Sequence, residues 1–232
     1  GWIGGDVGRR RASLTPHLGS IGRMLAVSAQ LLVRNLALTG TFLVGTSVAT
    51  RIGRVDVAAH QVAFQVWMAT ALTMDAVAIA AQAMVGERLG AGDAVGAVSI
   101  GRRVIAWSVG MGLALAVVLV AARESVATVF SDDPAVVALA GFLLVHVALM
   151  APLGGVAFAL DGVLIGAGDQ RFMAQAMAGA AVVSVTAMVA GRLAGQGIGW
   201  LWAAIWLFIG LRSIFLGLRF ASDRWQVVGA ER

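Results

Sequence analysis

The sequence predicts an all-α polytopic membrane protein with six transmembrane helices, and three observations carry that reading. Of 232 residues, 59% are hydrophobic and only 12% charged, against roughly 25% charged in a soluble domain. Mean hydropathy is +0.89, which a water-exposed surface does not allow. The apolar residues fall into long uninterrupted stretches, not the short alternating segments of an outer-membrane barrel. Cysteine is absent, so the chain has neither a disulfide framework nor a thiolate metal site.

Residues 1–22 are rich in Gly, Arg and Ser, hold Arg9-Arg10-Arg11 and Pro16, and read as a cytoplasmic loop or interfacial segment. No apolar core or cleavage site of a signal peptide follows them. The opening residue is not Met, and the expectation is a fragment whose natural N-terminal part lies upstream. The transmembrane region, 23–220, is expected to hold spans at about 24–50, 57–86, 104–122, 134–165, 172–191 and 198–220. Residues 221–232 form a polar tail.

The first span carries Gln30 and the pair Arg34-Asn35, with an uncharged stretch from Leu36 to Thr50. The second, from Val57, is the one around which the others are expected to gather. It places Asp75 near mid-depth, where a charge costs roughly 2.5–3.5 kcal/mol on insertion scales. It ends in a polar turn, Gly90-Ala91-Gly92-Asp93. The third, Val104 to Ala122, has no charge and is bounded by Arg103 and Arg123. Asp133 suits an N-cap and Pro134 the first helical position of the fourth span. Within that span Pro152, Gly154 and Gly155 predict a kink or local unwinding. It ends in a second turn, Gly166-Ala167-Gly168-Asp169. The fifth span is uncharged. The sixth begins with Trp200, Trp202 and Trp206, which suit an interfacial belt, and carries Arg212 late in its course.

Six spans put both ends on one side. With the N-terminus inside, eleven arginines are cytoplasmic and four external, which the positive-inside rule favours. The net charge of +5 is thus spread over loops and gives no nucleic-acid surface. The surroundings expected from composition are the lipid bilayer of the cell membrane, with both termini cytoplasmic.

The chain also echoes itself. His60 precedes Asp75 by fifteen residues and His146 precedes Asp161 by fifteen, and both helices end in Gly-Ala-Gly-Asp. Either a structural repeat or chance matching of Gly/Ala-rich helices accounts for this.

Asp75 is the first candidate binding residue: in a polar cavity a carboxylate takes up a proton or attracts a cation. The alternative is a carboxylate tied by Arg34, Ser or Thr on a neighbouring helix. Asp161 is the second candidate, unless it bonds only loop amides near its helix end. Gln82 lies two turns from Asp75 on nearly the same face. Gln61 and Gln65 lie upstream. If Arg34 and Asn35 lie opposite Asp75 across the lobe, contact with Arg34 makes a strut and opposes proton binding, whereas no contact leaves Asp75 a proton carrier. His60 and His146 are relay or structural residues. Met68 and Phe64 offer adaptable apolar contact. Spacings of fifteen residues give no local metal chelate, and the Gly-rich turns lack the Gly-Lys-Ser/Thr of a phosphate loop. No nucleophile–base constellation is present, so no enzyme is expected.

AAHQVAFQVWMATALTMDAVAIAAQAMVGERLGAGD (58–93), APLGGVAFALDGVLIGAGDQRF (151–172) and LLVRNLALTGTFLV (31–44) together resemble the multidrug and toxic compound extrusion (MATE) family, in its DNA-damage-inducible F-like branch. The resemblance implies a twelve-helix transporter in two six-helix lobes, of which this chain matches the C-terminal one. It implies a secondary active efflux antiporter that exports drug-like organic cations or amphipathic compounds in exchange for H⁺ or Na⁺. No cofactor beyond that coupling ion is implied, and the partner is a missing N-terminal lobe. Alternatives are a lipid-linked oligosaccharide flippase of the same superfamily, disfavoured because the spans hold only Arg34 and Arg212, or an inactive truncated lobe.

Overall fold

A computed structural model describes residues 18–229, so the Arg9-Arg10-Arg11 segment lies outside the described residues. Six long helices follow in order: α1 Leu18–Ile52, α2 Arg54–Gly90, α3 Ala94–Phe130, α4 Pro134–Gly166, α5 Gln170–Leu193 and α6 Ile198–Ala221. A short 3-10 turn, Asp223–Trp225, closes the chain. All six are long and apolar enough to cross a membrane. At 1.5 Å per residue the first four reach about 50 Å or more, so they overshoot a ~30 Å hydrocarbon layer. Their ends carry the charges, such as Arg102, Arg103, Arg123 and Glu124 on α3.

The turns are built by their glycines. At 91–93, 167–169 and 194–196 successive backbone amides reach back to carbonyls four, three and five residues earlier. The middle residue of each, Gly92, Gly168 or Gly195, has φ between 73° and 82°, which L side chains rarely adopt. Arg88 donates to Asp93 at 3.0 Å, and Arg219 on α6 to Asp169 at 2.6 Å, pinning the first two turns. At the other end Asp133 caps α4, its carboxylate accepting from the Ala135 amide at 2.9 Å with Pro134 behind it, as the sequence predicts.

The central helix is α4, not α2. It is buried along most of its length, including Ala159 to Leu164 without a break, while α2 keeps an exposed stripe through Gln65, Met68, Leu72, Asp75, Ile79 and Gln82. The reason is the distribution of glycine. A Cβ at Gly162 would lie 2.2 Å from the Ala78 carbonyl oxygen, and one at Gly155 would lie 2.4 Å from that of Ser108. At these points α4 meets α2 and α3 backbone to backbone, as small residues allow between membrane helices.

The unwinding expected at Pro152 is absent, and α4 is helical from Pro134 to Gly166. Gly112 of α3 lies directly against it: a Cβ there would fall 2.6 Å from Ala151 O and 2.7 Å from Pro152 Cα. That flank holds the chain helical, and the bilayer offers no water to an unwound backbone. The Trp belt is also corrected. Trp200 is 46% exposed, but Trp202 is 2% exposed and sits in the core. On the far side α5 packs against α1 and α6, where the buried Ser184 hydroxyl donates to Ala204 O at 2.7 Å.

Candidate functional site

The α2–α4 contact sets the depth of the two candidate carboxylates. Gly162 faces Ala78 and Gly166 faces Gln82, and both pairs are 84 residues apart in sequence. A constant offset over consecutive turns means that α2 and α4 run parallel and in register. Asp75 therefore stands level with Ala159, and Asp161 lies about 3 Å further along the axis. The same register brings both His60 and His146 beside Trp202, at ring distances of 5.9 and 6.3 Å. The echo in the sequence thus corresponds to two parallel helices carrying the same residue types at nearly the same heights.

At this level α1, α2, α4 and α6 line an open-sided cavity of about 490 Å³. That is within the size of a drug-sized ligand site. Its wall is mainly apolar and aromatic, with Phe42, Phe64, Trp67, Met68 and Phe158. Phe42 and Phe64 pack with ring centroids 5.2 Å apart. The polar lining is Arg34, Thr39, Thr46, Asp75 and Arg212. Thr46 is also 3.3 Å from Nε2 of the buried His60, so His60 is held behind the wall and not in the cavity.

Asp75 lines the cavity, is exposed, and makes no ion pair with any described residue. The alternative, a pair with Arg34, is not formed. Arg34 instead donates through Nη2 to Asp161 Oδ2, and Arg212 Nη2 donates to the same oxygen. Asp161 is 3% exposed at its side chain, Arg212 2% and Arg34 16%. Asp161 therefore does not bond loop amides; it joins α1, α4 and α6 through a buried Arg–Asp–Arg cluster at the edge of the cavity. The physical reason is register: Arg34 reaches the layer of α4 that lies slightly deeper than Asp75. Asn35 is exposed and accepts from Arg34 Nη1 at 3.3 Å. Gln65 and Gln82 extend the exposed stripe of α2 above and below Asp75 without lining the cavity.

The sequence reading missed the role of Arg212. Its signal was present, since Arg34 and Arg212 both lie several residues inside spans and both converge here. The guanidinium of Arg212 also lies over the Phe158 ring, 5.0 Å from its centroid. Phe158 thus orients it toward Asp161.

Comparison with known proteins agrees with this architecture. The MatE family model matches residues 31–190. Protein DETOXIFICATION 43 of Arabidopsis thaliana is 32% identical over 203 residues, covering 87% of this chain and 38% of its own length. DNA damage-inducible protein F of Escherichia coli is 28% identical over 206 residues, covering 87% of this chain and 44% of its own. A MOP superfamily transporter from Pyrococcus furiosus superposes with a TM-score of 0.79 at 18% identity, over 89% of this chain and 46% of that one. An outward-facing multidrug resistance MATE family transporter superposes equally well. The chain thus spans less than half the length of these relatives, which fits one six-helix lobe of a larger transporter. Six membrane-spanning helices in this arrangement, with the family match over most of their length, place the chain in the MatE family of membrane transporters.

Proposed function

We propose that this lobe is the C-terminal half of a secondary active exporter that moves organic cations or amphipathic compounds outward in exchange for H⁺ or Na⁺. The observation that carries the reading is Asp75: a carboxylate without an ion pair on an otherwise aromatic wall. Asp161 is held by two guanidiniums and is the weaker candidate for a cation. A second six-helix lobe facing the exposed α1–α2 side completes the cavity and shields Asp75 from lipid. In the full-length protein, Asp75→Asn is expected to slow ethidium efflux from intact cells by about tenfold, equivalent to ~1.4 kcal/mol. Unchanged efflux removes Asp75 from the site. Imposing a proton gradient or a sodium gradient separately on proteoliposomes identifies the coupling ion by which of the two drives uptake.

The same reading places the protein in the plasma membrane with its termini in the cytoplasm. The chain has no cysteine, so single replacements report sidedness cleanly. Ser131→Cys, between α3 and α4, is expected to react with a membrane-impermeant maleimide in intact cells. Ala91→Cys, in the turn after α2, is expected to react only after permeabilisation. The reverse pattern inverts the topology.

A further inference from the structure

We propose that the seam between the last turns of α1 and α5 is a binding site for one anionic phospholipid. Arg51 and Arg192 hold its phosphodiester, and one acyl chain lies in the groove between the two helices.

Arg51 stands in the last turn of α1 and Arg192 in the last turn of α5. Arg192 Nη2 donates to the Arg51 carbonyl oxygen at 3.0 Å, which satisfies one of the carbonyls that a helix end leaves open. Both arginines line one groove, and no described carboxylate forms an ion pair with either. The acid five residues on, Asp56, is turned elsewhere. A Cβ on Gly53 would lie 2.6 Å from its Oδ2, so its carboxylate sits at the start of α2, where an acid complements the helix dipole. The two helix C-termini contribute about half a negative charge each. They offset one of the two positive charges and leave the other. A phosphodiester carries a single negative charge and two free oxygens, which guanidinium forks grip well.

The depth of the pair suits a headgroup. Trp200 packs over the same end of α5: its Nε1 donates to Ala187 O at 2.8 Å, and a Cβ on Gly191 would fall 1.9 Å from its ring. A half-exposed indole beside the residue that precedes Arg192 marks the interfacial layer, where arginine meets anionic lipid.

Below the arginines the groove has a volume of about 220 Å³ and is walled by Val44, Ser47 and Val48 of α1 and Val189 and Leu193 of α5. Only Ser47 among these five is polar. Val44 lies seven residues from Arg51, so the groove descends about 10 Å from the charged layer. Val189 and Leu193 are exposed along it. It opens away from the cavity described above. Val44 follows cavity-lining Phe42 by two residues, and Val48 follows Thr46 by two. At 3.6 residues per turn that carries them to the opposite face of α1. A second lobe closing on the cavity side therefore leaves this groove to lipid. Arginines that merely snorkel need water alone and no groove beneath them.

The test counts single bound lipids on the delipidated full-length protein by native mass spectrometry in detergent. The probes are palmitoyl-oleoyl-phosphatidylglycerol, phosphatidylcholine with the same chains, and glycerophosphoglycerol, which is the first headgroup without chains. The first phosphatidylglycerol is expected to bind about tenfold more tightly than phosphatidylcholine, the worth of two arginines near a membrane surface. Glycerophosphoglycerol is expected not to displace it at equal concentration. Arg51→Gln with Arg192→Gln is expected to hold one fewer tightly bound phosphatidylglycerol than the native protein. Ser47→Phe fills the groove, keeps both arginines and is expected to lose the same lipid, whereas Leu113→Phe on the exposed face of α3 keeps it. Equal affinity for the two lipids overturns the proposal. So does displacement by the free headgroup, which makes the corner a site for small anions only. An unchanged count in the double arginine variant overturns it as well; if that variant does not fold, an unchanged count in Ser47→Phe decides the same way.

Discussion

Asp161→Ala is expected to destabilise the protein by about 3–5 kcal/mol, the cost of leaving a buried charge without its partner. The effect is doubled in kind here, because one carboxylate holds two guanidiniums on two other helices. Thermal unfolding in detergent reads the loss. Expression falls with it, since one or two kcal/mol is already a large share of total stability. A companion variant separates loss of a partner from loss of the whole cluster. Arg34→Met, Asp161→Leu and Arg212→Met together replace the cluster by apolar groups of similar volume, a change that is often neutral or stabilising. The triple variant is expected to unfold near the native temperature, where Asp161→Ala does not. If Asp161→Ala unfolds at the native temperature, the cluster contributes nothing to holding α1, α4 and α6 together.

The second large effect belongs to a residue with no side chain. Gly162→Val is expected to prevent assembly of the lobe or to lower its unfolding temperature sharply. The first added carbon would stand 2.2 Å from the Ala78 carbonyl oxygen, and the obstacle is backbone that has no rotamer to change. Overpacking a tight interface costs about 1–3 kcal/mol even where side chains can adjust. Gly110→Ala is the matched control. Nothing lies within 4 Å of its added carbon, and alanine is the better helix former by about 0.5–1 kcal/mol. It is expected to unfold at or above the native temperature. Equal behaviour of the two variants shows that α2 and α4 are not in backbone contact.

The elements of this fold were legible where the cause was local. Six apolar stretches of spanning length, four of them with a charge inside, needed no partner to be recognised. Asp133 and Pro134 announced the start of α4, and the Gly-Ala-Gly-Asp turns announced the ends of α2 and α4, because capping is a matter of a few consecutive residues. What failed was long-range. Arg34 and Asp161 lie 127 positions apart, and Asp161 and Arg212 51 apart. No periodicity couples such positions, so the sequence left open whether Arg34 meets Asp75 and did not point to Asp161 as its partner. Charge drew attention to α2, whereas glycine placement decided that α4 is central. Pro152 was read as a break because its own sequence permits one, but the support comes from Gly112 on another helix. Trp202 was read as interfacial by its position near a helix start; its indole is instead core, beside two histidines.

Carbonyl-to-glycine seating of α2 and α3 against α4 puts backbone in the way of sliding at those points. The three helices are expected to move as one block. Any motion that alternates exposure of the cavity is then expected to swing that block as a whole or bend α1, whose N-terminal half from Met24 to Leu36 keeps most of its surface uncovered. The guanidinium of Arg34, near the end of that half, is the tether that such a swing has to release.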